Sequence, residues 1–272
     1  LEAEDSGQTY KLGLTYIPSD SATYYATFAQ GFRLGGPQAD VPSDLCDLNG
    51  DGLVDGLGVA LPDQIDSDEL DSFEVGAKFS LADGRAIFNV AAYQVEWEGI
   101  PVARTADCGF GVTLNAGEAQ NRGVEVEGQW LLSDIWRVNY GLSYVKTELT
   151  SDAPGLGVSG DRLPGTPEFQ ALLGMQADFS VAGRPMFARA DIAHAGEYFN
   201  NLQEEGPSAG DFTTINLRIG ADISERISLD LFARNLTDEE GLTWVETEIG
   251  DGRANFIRPR TIGVEIRALF GQ

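Results

Sequence analysis

NRGVEVEGQWLLSDIWRVNYGLSY, residues 121–144, alternates twice with a short break between. Val124, Val126 and Trp130 oppose Glu125, Glu127 and Gln129. After Leu132-Ser133-Asp134, a second run sets Trp136, Val138, Tyr140, Leu142 and Tyr144 against Arg137, Asn139, Gly141 and Ser143. A period of two places successive side chains on opposite faces of a strand, so both runs predict strands with one apolar and one polar face, joined by a tight turn.

The same pattern extends in both directions. Eleven strands are expected near 8–17, 21–33, 70–81, 85–99, 119–132, 135–149, 167–180, 185–199, 211–223, 226–237 and 256–270. Toward the C-terminus, Ile262, Val264, Ile266, Ala268 and Phe270 oppose Thr261, Gly263, Glu265 and Arg267. In 85–98 the faces stay open, because Phe88, Val90 and Ala92 compete with Ile87, Ala91 and Tyr93. These runs exceed the usual strand of about 5–6 residues and pass the roughly 9–11 that a tilted strand needs to cross a bilayer.

The connections carry an independent signal. Short turns at PSDS (18–21), LADG (81–84), LSD (132–134), VAGR (181–184) and ISER (223–226) alternate with long loops near 34–69, 100–118, 150–166, 200–210 and 238–255. That alternation predicts an all-β fold, an antiparallel transmembrane β-barrel with short periplasmic turns and long extracellular loops. Tyr16, Tyr24, Phe79, Trp130, Trp136, Phe179 and Phe270 fall near the short-turn ends, where a membrane interface favours amphipathic rings. The competing reading of these aromatics is the core of a soluble β-sandwich.

Composition narrows the function. The 272 residues carry a net charge of −25, which repels phosphate backbones and excludes nucleic acid as partner. Between Arg33 and Lys78 there are 11 acidic residues and no Lys or Arg, so much of the charge belongs to the first long loop. No run is long and apolar enough for a transmembrane helix. The start, LEAEDSG, has neither the basic nor the apolar part of a signal peptide and reads as a mature chain or a fragment.

Several segments resemble the C-terminal barrel region of TonB-dependent outer-membrane receptors. They are YYATFAQGFRLGG (24–36), NAGEAQNRGVEVEGQW (115–130), LPGTPEFQ (163–170), LFARNLTDEEG (231–241) and RPRTIGVEIRALF (258–270), in the family's order. The resemblance implies about 11 strands of an expected 22, a C-terminal half without the plug domain and the short box that contacts the TonB energy-coupling complex. It implies a receptor in the bacterial outer membrane taking up a bulky nutrient such as an iron–siderophore complex. Its partners would be membrane lipid, its own N-terminal barrel half and plug, TonB and the small-molecule nutrient. Gly271 and Gln272 follow Phe270, a departure from the terminal aromatic residue usual for such barrels. A passive porin and a secreted calcium-binding β adhesin remain the alternatives.

Two further features belong to the outer loops. In CDLNGDGLVDG (46–56), Asp47, Asn49, Asp51, the Leu53 carbonyl and Asp55 take the spacing of a calcium loop, with Gly52 at the sixth position. The twelfth position, which should carry a bidentate carboxylate, is Gly58, so a calcium loop and a solvated acidic loop both stay open. Cys46 and Cys108 sit in adjacent outer loops, and at an oxidising cell surface they are expected to pair. No constellation supports catalysis and no organic cofactor is expected. The GLGVSG run (155–160) opens no helix, His194 has no nucleophile to serve, and NLT (235–237) as a sequon has little meaning in a bacterial protein. The inward-facing set Glu125, Glu127, Arg137, Arg189, Asp191, Arg218 and Arg267 is expected to line a lumen and meet the plug.

Overall fold

The computed structural model describes residues 7–38, 40–115, 117–153, 157–202, 204, 206–246 and 252–270. Residues 1–6, Gly155 and Leu156 of the GLGVSG run, and the terminal Gly271 and Gln272 lie outside them. In chain order the elements are β1 (Lys11–Ser19), β2 (Ala22–Arg33), β3 (Gly36–Pro37), α1 (Ser43–Cys46), β4 (Gln64–Ile65), β5 (Asp68–Leu81), β6 (Ala86–Glu98), β7 (Pro101–Thr105) and β8 (Gly111–Asn115). They continue with β9 (Glu118–Leu131), β10 (Trp136–Leu149), β11 (Phe169–Val181), β12 (Arg184–Ala195), β13 (Phe212–Ser224), β14 (Ile227–Arg234), β15 (Leu242–Val245), β16 (Ala254–Phe256) and β17 (Thr261–Ala268).

Eleven of these form one antiparallel sheet in the order β1-β2-β5-β6-β9-β10-β11-β12-β13-β14-β17. Every wall strand pairs with its neighbour in sequence among the wall strands, a meander in which each hairpin lays down the next. At the short turns the backbone obeys the hairpin rule. Ala182 and Gly183 both have positive φ (51° and 76°) between the paired Val181 and Arg184, the geometry whose twist matches the flanking strands.

The pairing register assigns the two faces. Phe28, Phe73 and Leu12 lie together, as do Val90, Val126, Leu142 and Ala171, and further on Leu217, Ala233 and Ile262. This settles the open segment: Phe88, Val90 and Ala92 pair with Gly128, Val126 and Val124 on the apolar face, whereas Ile87, Ala91 and Tyr93 share the polar one. The apolar face is exposed, with Leu142 47%, Leu231 48% and Val264 59% accessible. A sheet whose greasy side faces outward is stable only in lipid, so this side is the membrane face and the polar side the lumen. At the short-turn end, Tyr16, Tyr24, Phe79 and Phe88 contact one another in series at 5.8–6.4 Å, an aromatic girdle for the inner interface.

The structure corrects the sequence reading in the long loops. The expected strand 256–270 is two elements, with Phe256 in the small β15–β16 sheet and the wall strand beginning only at Thr261, after Arg258-Pro259-Arg260. The loop 99–117 contains the β7–β8 hairpin. The hydrophobic core lies neither under nor inside the sheet but above its outer end, among the loops.

Candidate functional site

The inner wall is a charged surface that neutralises much of itself. Arg189 donates to both Asp191 carboxylate oxygens at 2.6 and 2.9 Å. Arg218 donates to Asp230 and, at 3.0 Å, to Glu265, which also accepts from Arg267 at 3.1 Å. Arg137 lies 3.7 Å from Asp178. The other flank is acidic: Glu74 accepts from the Tyr25 hydroxyl at 2.6 Å and Glu127 from Asn89 at 3.1 Å. Charged side chains of this kind suit a water-filled interior, because an ionised group turned toward hydrocarbon would be costly. All seven residues expected to face the lumen share this side. Asn121 Oδ1, Asn139 Oδ1 and Arg137 Nε, on the same side, are buried without a partner among the described residues.

At the outer rim the membrane face turns polar, with Asp71, Gln94, Glu96, Arg122 and Lys146 continuing the rows of apolar positions, so the strand tips stand clear of the bilayer. There Asp68, 5% exposed, accepts from Arg33 at 2.7–3.1 Å and from the Trp97 indole at 2.5 Å, while the Arg33 guanidinium stacks over Trp97 at 5.2 Å. Burial alone raises the Asp68 carboxyl, but the hydrogen bonds from Arg33 and Trp97 outweigh it and hold it below the usual aspartate range. This trio clasps the neck of the first long loop, where a Cβ at Gly35 would meet the Ile65 carbonyl at 2.2 Å.

Above the rim the loops form a collar. The side-chain oxygens of Asp47, Asn49, Asp51 and Asp55 are occupied by backbone amides of their own loop. Asp47 accepts from the amides of Asp51 (3.0 Å) and Gly52 (2.9 Å), Asn49 from Asp51 (2.9 Å), Asp51 from Leu53 (2.9 Å), and Asp55 from Leu48 (2.8 Å). Among the described residues no group of three or more metal-ligating side chains is assembled, so the calcium expectation rests on the sequence spacing alone. Cys46 and Cys108 are joined, with their Cα atoms 5.2 Å apart. His194 lies on the membrane face, its Nδ1 3.1 Å from Thr213 Oγ1 and its ring 6.0 Å from that of Phe169.

Sequence reasoning missed the collar's core. Val112 (3% exposed) and Leu114 (7%) alternate along β8, and Gly109 has φ 85° beside the turn, which is a hairpin signal hidden inside a presumed loop. The NLTD run proved structural. Asn235, 4% exposed, donates to the carbonyls of Glu239 (2.9 Å) and Arg258 (3.1 Å) and accepts from the Glu239 amide, while Asp238 accepts from the Arg260 amide at 2.8 Å. The motif thus locks the end of β14 to the RPR entry of β17.

A family model described as "TonB dependent receptor-like, beta-barrel" matches residues 2–236. The chain is 21% identical over 264 residues to the pesticin receptor of Yersinia enterocolitica, covering 96% of this chain and 36% of that protein. It is 25% identical over 174 residues to the metal-pseudopaline receptor CntO of Pseudomonas aeruginosa, covering 64% and 24%. Among solved structures, the ferric yersiniabactin uptake receptor FyuA from Yersinia pestis superposes with a TM-score of 0.77 at 20% identity, over 96% of this chain and 37% of that one. The siderophore receptor PiuA from Acinetobacter baumannii gives 0.71 at 19%, over 95% and 35%. The chain therefore spans about a third of the length of these relatives. The family favours neither the porin nor the adhesin alternative. With its lipid-facing sheet, polar inner wall and matching barrel model, the chain belongs to the TonB-dependent receptors, as part of their outer-membrane β-barrel.

Proposed function

We propose that this chain is the C-terminal part of a receptor for energy-coupled uptake of a bulky metal chelate of the iron–siderophore kind. The observation that carries the reading is the pairing of a polar inner wall with an ordered outer collar on one sheet, open at both edges. The wall leaves a wet interior for a plug, and the collar supplies one side of a mouth. Relatives that are receptors for metal-pseudopaline, siderophores and ferric yersiniabactin support the cargo class. The exposed inward groups Glu125, Glu127 and Arg267 are those a plug would meet. Energy coupling through TonB, and closure by an N-terminal barrel half, belong to this proposal.

The test is uptake of radiolabelled ferric siderophores by cells whose only such receptor is the full-length protein. Accumulation above the receptor-null strain, abolished when TonB is deleted, is expected. Accumulation unaffected by TonB deletion would favour passive diffusion and overturn the reading.

A further inference from the structure

The outer loops 34–67, 99–117 and 150–168 are far apart in sequence but close over a single core. The first contributes Val54 and Leu57, the second Val112 and Leu114, and the third Ala153, all packed with Leu149 at the tip of β10, which is 1% exposed, and Leu202 of the next outer loop joins the same cluster. Polar ties follow the same path. Gln38 Nε2 donates to the Thr113 carbonyl at 2.7 Å, and Asn115 both accepts from the Asp66 amide (3.0 Å) and donates to the Asp66 carbonyl (3.1 Å). Ser151 Oγ accepts from the Glu118 amide at 3.0 Å, and Glu118 accepts from the Thr150 amide at 2.9 Å. The Cys46–Cys108 bridge spans 62 positions and ties the first loop covalently to the second.

We infer that these three loops are one cooperative unit, a braced wall of the mouth that moves or stays as a whole and does not act as three separate lids. Swinging one loop away uncovers the apolar side chains of the other two and leaves their shared polar groups unmade, so opening is concerted. The bridge acts in the same direction by limiting how far the first two loops separate once the core loosens. This deepens the receptor reading and rests on it for the meaning of a mouth, but its test needs no cargo.

Amide hydrogen exchange, read by mass spectrometry on the full-length receptor in detergent micelles, separates the outcomes. The reporting amides are those of Val54, bonded to Val59, of Ala106, bonded to Phe110, and of Ala153, bonded to Gly157. In the oxidised protein the three are expected to report one opening free energy once their intrinsic exchange rates are divided out. Leu149→Ala, which cuts the core without touching the bridge, is expected to speed all three together by about ten-fold or more while β12 is unchanged. Acceleration of 150–168 alone overturns the proposal. If that variant fails to fold, reductant on the wild-type receptor is the second arm. A joint acceleration across the three loops supports the unit, and acceleration confined to 46–56 and 105–110 overturns it. A receptor that passes this test and yet takes up no ferric chelate refutes the receptor reading alone.

Discussion

Asn235 takes a left-handed backbone, φ 49°, which an asparagine tolerates better than most residues, and spends its side chain on three hydrogen bonds inside the protein. Asn235→Ala loses these bonds and keeps the strain, a cost of about 2–4 kcal/mol, whereas Asn235→Gly recovers roughly 1 kcal/mol through the backbone. Thermal unfolding of the two full-length variants checks the order. Asp68 supplies a pH prediction. Its folded value is depressed, so its stabilisation is complete above the unfolded value of about 3.9 and is lost as pH falls through the lower folded value. Trp97 fluorescence in a variant without the other tryptophans should be flat from pH 7 to about 5 and change only in the acid range; a transition near neutrality contradicts the clasp. For the loop at 47–55, the spacing predicts calcium binding in the range of extracellular modules, about 0.1–1 mM. Calorimetric titration should show saturable heat that Asp47→Ala abolishes, and no heat in that range leaves only a solvated acidic loop.

A single wall strand carries two chemistries one residue apart. Along β10, Leu142 faces lipid while Ser143, its neighbour, faces the lumen, and each has a partner of the same character on β9 and β11. Leu142→Arg should therefore destabilise the full-length receptor by about 2–4 kcal/mol, and Ser143→Arg by far less, measured by denaturant unfolding in lipid vesicles. Equal costs contradict the assignment of faces. Glycines on the wall serve a different need. A Cβ at Gly76 would meet the Tyr25 ring at 2.5 Å and one at Gly123 the Tyr93 ring at 2.6 Å, so an aromatic residue of one inner row lies flat over a glycine of the next strand. Alternation in the sequence gives the faces but not this nesting, which depends on which residues come opposite each other.

At the scale of the molecule, β1 and β17 are the first and eleventh strands of a meander and run in the same direction. Neither edge finds a partner among the described residues, and unpaired backbone is not tolerated in lipid. Two copies of the chain inserted in the same orientation and joined β17 to β1 would meet in parallel seams, so antiparallel closure calls for an odd number of further strands from elsewhere. We expect the 272-residue chain alone to form no heat-modifiable barrel in liposomes, and to form one when refolded with the upstream half of the receptor. A folded, closed species of the chain alone overturns this. The collar belongs to this scale too, because its core draws on four loops and two strand tips that no local stretch of sequence connects.

By itself the sequence determined the eleven strands, the two faces of those that alternate cleanly, the alternation of short turns with long loops, and the resemblance to the family. The strands and faces follow from period-two patterning and turn chemistry, which act between neighbours in the chain, whereas the family rested on the resemblance of five motifs. Tertiary structure decided the rest. Register resolved 85–98, because a face is defined by what lies opposite it. Packing turned presumed loose loops into a collar, because Val54, Val112 and Leu149 become a core only once distant segments meet. In the calcium-like loop the oxygens of Asp47 and Asp51 accept from amides of their own turn, an arrangement of backbone that spacing alone does not specify.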